Sequence, residues 1–203
     1  EDKLFLLEED YNSIAIPQYN EPLKVSASVV NFNKATYSTF TKANDKKEIP
    51  LIVEYVDSLE AKPKFLKLEL SDRVAVLNAL NSAFNEDVKA YVFNKKDAHM
   101  VWTISIVLKD EKRIAIMNSD ALFLEQDGAK KYILKGYKNG DLTTSLTFSD
   151  GVVFAYQTSN FCWQETDKHQ IEIVDIVDSA DKCPRDTYRG AKHAKKELDY
   201  FKF

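Results

Sequence analysis

The sequence predicts an α+β fold, mainly an antiparallel β-meander sheet able to curl into a barrel, with one mid-chain helix and a C-terminal helix. Three observations carry this. Stretches such as KVSASVVNF (24–32) and FLKLEL (65–70) alternate apolar and polar residues, the period of a half-buried strand. The dipeptides Asp127–Gly128, Asn139–Gly140 and Asp150–Gly151 separate strand-like runs. Tight hairpins prefer such pairs because glycine accepts a positive φ. Finally, SDRVAVLNALNSAFN (71–85) sets Val76, Leu77, Leu80, Ala83 and Phe84 at helical spacing.

In chain order, residues 3–7 (KLFLL) read as an edge strand or packing arm, and Pro17 and Pro22 flank a loop. The 24–32 strand follows. ATYSTFTKA (35–43) is rich in Thr and Tyr and reads as strand, and IPLIVEYVD (49–57) reads as strand more strongly. After the 65–70 strand the period changes. Ser71 is the expected N-cap of a helix over 71–84, and Asp72 suits its positive end. A run of strands is then expected: 88–94, 99–110, 112–118, 121–126, 130–137, 142–148 and 152–158, with a further strand over 169–178. No helix separates these runs, which disfavours parallel pairing. In YRGAKHAKKELDYF (188–201), Ala191, Ala194, Leu198 and Phe201 make an apolar stripe opposite lysines, so the chain is expected to close on a helix.

Hydrophobic residues make up 44% of the 203 and charged residues 30%, enough for a core and too apolar for disorder. One α+β domain over 1–203 is expected, with no internal repeat or linker. A net charge of -4 disfavours a nucleic-acid partner, since a mildly acidic surface repels phosphates. No run is long and apolar enough to span a bilayer as a helix. Only five glycines are present, which argues against a loop cradling phosphates.

The candidate chemistry is sparse. His99, His169 and His193 lie in no metal-binding spacing, so no metal and no cofactor are expected. Asp97 stands two residues before His99, and on an extended strand the two side chains share a face. That pair could orient the imidazole, against the plainer reading of a solvated strand edge. There is no Gly-x-Ser-x-Gly elbow. Carboxylates gather at Glu8, Glu9 and Asp10 and again at Asp175, Asp178 and Asp181, without the spacing of a calcium loop. Solvated acidic edges account for them. Lys192, Lys195, Lys196 and Lys202 read as the wet face of the last helix.

Cys162, in NFCWQ, and Cys183, in ADKCPRD, leave three states open: a disulfide, two buried thiols, or a reactive Cys162 with His169 nearby in sequence. The disulfide Cys162–Cys183 is the expectation. It would fasten the end of the last hairpin to the loop before the final helix and place the chain in an oxidising compartment. The aromatic residues Trp102, Trp163, Tyr156 and Tyr132 are the candidate ligand-binding set, against the alternative of core and cross-strand ladders.

Together these readings lead to the expectation of a secreted, periplasmic or surface-displayed protein, signal peptide removed, that binds a partner without catalytic chemistry. One alternative is a carrier holding a small apolar ligand in a barrel cavity. Another is a hydrolase built on scattered carboxylates or the Asp97–His99 pair.

Overall fold

The computed structural model describes residues 5–6, 15–58, 60–95, 98–127 and 131–194. Its strands are β1 (Phe5–Leu6), β2 (Leu23–Asn31), β3 (Lys64–Leu70), β4 (His99–Val107), β5 (Ala121–Gln126), β6 (Tyr132–Lys138), β7 (Asp141–Thr147), β8 (Val152–Glu165) and β9 (Ile171–Asp178). They join in the order β1-β8-β4-β3-β2-β5-β6-β7, with β9 also paired to β8. The ladders β1–β8, β2–β3, β2–β5, β3–β4, β5–β6, β6–β7 and β8–β9 are all antiparallel. The protein is therefore mainly antiparallel sheet, as the alternation predicts. The sheet is open and does not close into a barrel.

The helices differ in number from the expectation. Four α-helices lie wholly within the described residues: α1 (Lys34–Asn44), α2 (Arg73–Asn81), α3 (Glu86–Phe93) and α4 (Asp110–Met117). Three of them occupy stretches whose composition reads as strand. In α1 the Asn33 side chain accepts from Thr36 N–H, and the Thr36 hydroxyl oxygen accepts from Asn33 N–H, a reciprocal cap. Thr36, Phe40 and Asn44 then repeat every four residues on the buried face. Periodicity overrides the β-propensity of Thr and Tyr here. Both α3 and α4 begin on paired acids, Glu86–Asp87 and Asp110–Glu111, which suit the positive end of a helix.

The mid-chain helix is shorter than 71–84. Asp72, not Ser71, caps it, accepting from Ala75 N–H at 2.9 Å. Val76 and Leu80 are buried as the stripe predicts. Ser82 then turns extended, with ψ 156°, and ends the helix before Phe84. Phe84 lies on a 3-10 turn and is partly exposed, so it does not dock with the stripe. At the other end, residues 191–194 are helical and Ala191 and Ala194 are buried; Leu198 and Phe201 lie outside the described residues.

Of the expected glycine turns, 138–141 forms as predicted: Asn139 and Gly140 both take positive φ, 52° and 89°, and join β6 to β7. Gly128 lies outside the described residues. Gly151 is extended, with φ -139°, and does not turn a hairpin. A Cβ there would strike the Val107 carbonyl oxygen and come within 2.6 Å of Leu108 Cδ2, so this glycine permits close packing instead. β7 and β8 are not neighbours, so the meander covers only β5–β6–β7. Strand β8 also runs past 158 to Glu165, carrying Cys162 and Trp163 inside it.

The chain forms two compact units, and the division falls within β4 and β8. One contains Glu21–Ser71 and Trp102–Gln157, and the other Asp72–Val101 and the chain from Thr158 onward. The first has an aliphatic core of Val25, Leu66, Leu68, Ile106, Ile116, Leu122, Leu134 and Leu146. It also holds an aromatic cluster under α1, in which Phe32 lies 5.5 Å from Phe40 and 5.0 Å from Phe65, ring to ring. In the second unit, α2 lies along β9. Asn81 Nδ2 donates to the Ile173 carbonyl and Asn81 Oδ1 accepts from Ile173 N–H, while Arg73 reaches the Ile176 carbonyl and Asp178.

Candidate functional site

The stretch from Glu48 to Asp57 is the most unusual surface in the first unit. Its sequence alternates and its burial does too: Leu51, Val53 and Tyr55 are partly buried, while Ile52, Glu54 and Val56 are exposed. Yet 49–57 is not a strand, correcting the expectation for IPLIVEYVD. Its neighbour is a helix rather than a β-ladder. Asn44 of α1 donates from Nδ2 to the Leu51 carbonyl at 2.9 Å and accepts Leu51 N–H on Oδ1 at 2.9 Å. The Tyr37 hydroxyl donates to the Val53 carbonyl at 2.9 Å. The Tyr37 and Tyr55 rings stack at 4.8 Å. Side chains of α1 thus hold an extended peptide as a neighbouring strand would.

The consequence is geometric. Along an extended chain, backbone groups of successive residues point to opposite sides. Leu51 and Val53 turn theirs toward α1, so those of Ile52 and Glu54 turn away from it. The outward side chains include Ile52 at 94%, Ile49 at 86% and Val56 at 54% exposure, large apolar groups left in water. Glu48, Glu54 and Asp57 stand among them, all exposed. The Tyr55 hydroxyl donates to Asp57 at 2.6 Å, and that bond raises the phenol pKa.

The residues singled out in sequence lie elsewhere. Trp102 and Tyr156 are buried in the first unit, and Trp163 in the second. Tyr132 is partly buried on β6, and burial pushes its pKa up to about 12. Three of these four rings are core in this fold, so they present no open stacking face. Cys162 and Cys183 form a disulfide with Cα atoms 5.6 Å apart, so neither is a thiol. Trp163, next to the bridge, is fixed from several sides. Its backbone N–H donates to the Tyr188 carbonyl and its carbonyl accepts from the Tyr188 backbone N–H. Phe93 and Phe161 meet its ring edge-on at 5.9 and 6.4 Å. The Cys162–Trp163 segment is a structural fastening.

His99 opens β4, exposed, while Asp97 lies outside the described residues, as do Glu8, Glu9, Asp10, Lys195, Lys196 and Lys202. Asp175 and Asp178 sit on β9, where Asp178 pairs with Arg73 at 3.0 Å. His169 Nδ1 lies 2.6 Å from Glu165 at the exposed β8–β9 turn. Among the described residues no group of three or more His, Cys, Asp or Glu side chains is placed to hold a metal ion. On β5 and β6, Glu125 accepts from Lys135 Nζ at 2.5 Å and from the Tyr137 hydroxyl at 3.2 Å, and the carboxylate raises the Lys135 pKa. These groups satisfy one another.

A depression between β2, α4 and β5 holds about 180 Å³ and is lined by Val25, Ser26, Ala27, Ile116, Met117, Ser119, Asp120 and Leu122. Ligand pockets ordinarily run from roughly 300 Å³ upward, and no Phe or Tyr lines this one. No described helix is long and apolar enough to cross a membrane. The chain matches no known family model, and it is similar to no curated protein in sequence and to no solved structure in fold.

Composition hid the 48–57 site. Apolar alternation marks it as a strand, and nothing in the residue types says that its partner is a helix. The available signal was Asn44 within ANDKKE (43–48), a turn short enough to fold the peptide back onto α1.

Proposed function

We propose that the chain is a secreted, periplasmic or surface-displayed binding module that acts by docking a partner protein rather than by chemistry. The observation that carries this reading is the exposed pair Ile52 and Val56, with Ile49 exposed at the start of the segment, on a peptide bonded to α1. Large aliphatic side chains presented together on an ordered segment mark interaction surfaces. Rigidity helps, because a preformed extended segment loses little entropy on binding. The segment carries Glu48, Glu54 and Asp57 and no base between them, so the complementary surface is an apolar cleft edged by lysine or arginine. The Cys162–Cys183 bond supports an oxidising home, since disulfides are rare where thiols are kept reduced.

The test places a photo-crosslinking amino acid at position 52 and irradiates the protein in its own compartment. The expected result is one discrete adduct, lost in the Ile49→Asp variant and absent when the crosslinker is moved to position 26 on β2. An adduct formed equally from both positions, or none, counts against the site.

A further inference from the structure

We propose that the free edge of β7 pairs antiparallel with β7 of a second copy of this chain. The inference rests on how each strand margin is finished. At β9 the outer backbone is engaged by side chains of α2: Asn81 bonds both groups of Ile173, and Arg73 bonds the Ile176 carbonyl. β9 also carries Glu172, Asp175 and Asp178, which would face like charges in an antiparallel self-pairing centred on Asp175. Natural sheet edges are commonly protected in such ways, by charge, by proline or by a covering element.

Although α4 packs against β7, no described residue finishes the outer edge of this strand in such a way. It ends the strand order beyond β6. From Leu142 to Phe148 the sequence is LTTSLTF, with no charge and no proline. Between Leu142 and Leu146, no described residue hydrogen-bonds to the backbone on the side away from β6. Leu142 is 54% exposed, and Thr143, Ser145 and Thr147 are exposed as well.

What fits such an edge is another strand, because its unpaired N–H and C=O groups repeat at strand spacing. A second copy is the occupant the charges favour. The single ionised residue of the strand, Asp141, stands at its beginning. Antiparallel pairing about the middle of the strand puts the two copies of Asp141 at opposite ends of the joint ladder, on the order of 20 Å apart. Hydroxyl side chains then face hydroxyl side chains, a favourable cross-strand pairing. Strand pairing alone buries less than a standard interface, so the dimer is weak and depends on concentration.

Sedimentation equilibrium of the whole chain, from micromolar to millimolar concentration, tests this together with amide hydrogen exchange at both limits. The expected result is a rise from one chain toward two, with exchange slowing in residues 142–146 and not in 49–56. The Leu142→Glu/Ser145→Glu variant should weaken association by about tenfold or more while its thermal melt stays within a few degrees. Ser145 lies opposite Lys135 within the chain, which tolerates an acid there. A single chain at every concentration overturns the proposal. So does a dimer whose slowed amides lie outside β7. If the variant fails to fold, the exchange map of the unaltered chain still decides.

Discussion

Asn44 bonds both backbone groups of Leu51, donating to the carbonyl and accepting the N–H, each at 2.9 Å. Asn44 is itself buried, at 7% exposure. Its side-chain amide thus replaces one rung of a β-ladder. Asn44→Ala leaves a partly buried donor and acceptor without partners, which costs about 1–3 kcal/mol. Asn44→Asp keeps only the acceptor and should fall no nearer to the original stability than Ala does. Urea midpoints of the two variants check this; an unchanged midpoint for Asn44→Ala would mean that the segment does not depend on the clamp.

Gly140 and Gly151 are expected to resist substitution for different reasons. Gly140 has φ 89° and open space where a Cβ would stand, so the cost of alanine is backbone strain of about 1 kcal/mol. Asparagine, which tolerates left-handed φ, should be accepted there. Gly151 is extended but abuts the Val107 carbonyl, so any side chain overpacks and costs about 1–3 kcal/mol. Thermal melts of Gly140→Asn and Gly151→Asn should therefore separate, the second falling clearly below the first.

The bridge between Cys162 and Cys183 closes a loop of 21 residues. Chain-entropy reasoning gives it about 3 kcal/mol, chiefly by restricting the unfolded chain. The Cys162→Ala/Cys183→Ala variant should lose about that much. Mass spectrometry of the unreduced protein should find no alkylated thiol under native conditions; two alkylated cysteines would remove both the bridge and the main support for an exported protein.

Tyr132 should mark the alkaline limit. Burial holds its phenol protonated, raising the pKa from 10.0 to about 12. A folded pKa above the unfolded one means that the folded state binds the proton more tightly. The contribution is therefore complete below pH 10 and lost as pH rises toward 12. Tyr132→Phe should flatten this fall in stability between pH 10 and 12, followed by denaturant midpoints. An equal fall in both proteins would assign the alkaline limit to other groups.

Much of the sheet was legible because its strands bury one face. Val25, Leu66 and Leu68 lie in runs that alternate with polar residues, and they meet in one aliphatic core. The disulfide was legible from two cysteines and a compartment argument. The α1 helix was less so, although Thr36, Phe40 and Asn44 already stood four apart, because Thr and Tyr weigh toward strand in any composition reading. Helices α3 and α4 were hidden for a related reason: each is about two turns long and buries a single residue, Val88 or Ile116, so no repeated stripe shows. The candidate site was the least legible part. An alternating run buries one face whether it lies in a ladder or along a helix, and only the tertiary structure puts Asn44 and Tyr37 beside it. Conversely, Trp102, Tyr156 and Trp163 drew notice as large aromatics, but the same size that makes an aromatic ring a good platform makes it a good core residue.

The central claim is that residues 49–56 form an ordered peptide bonded on one side and open on the other. Residue-resolved amide exchange in the free chain at low concentration tests it most directly. The Leu51 amide, held by Asn44, should be protected, while the Ile52 and Glu54 amides should exchange near the rate of an unstructured peptide. Protection of Ile52 and Glu54 equal to that of Leu51 would mean that the outer side is already covered within the chain, and would contradict the account.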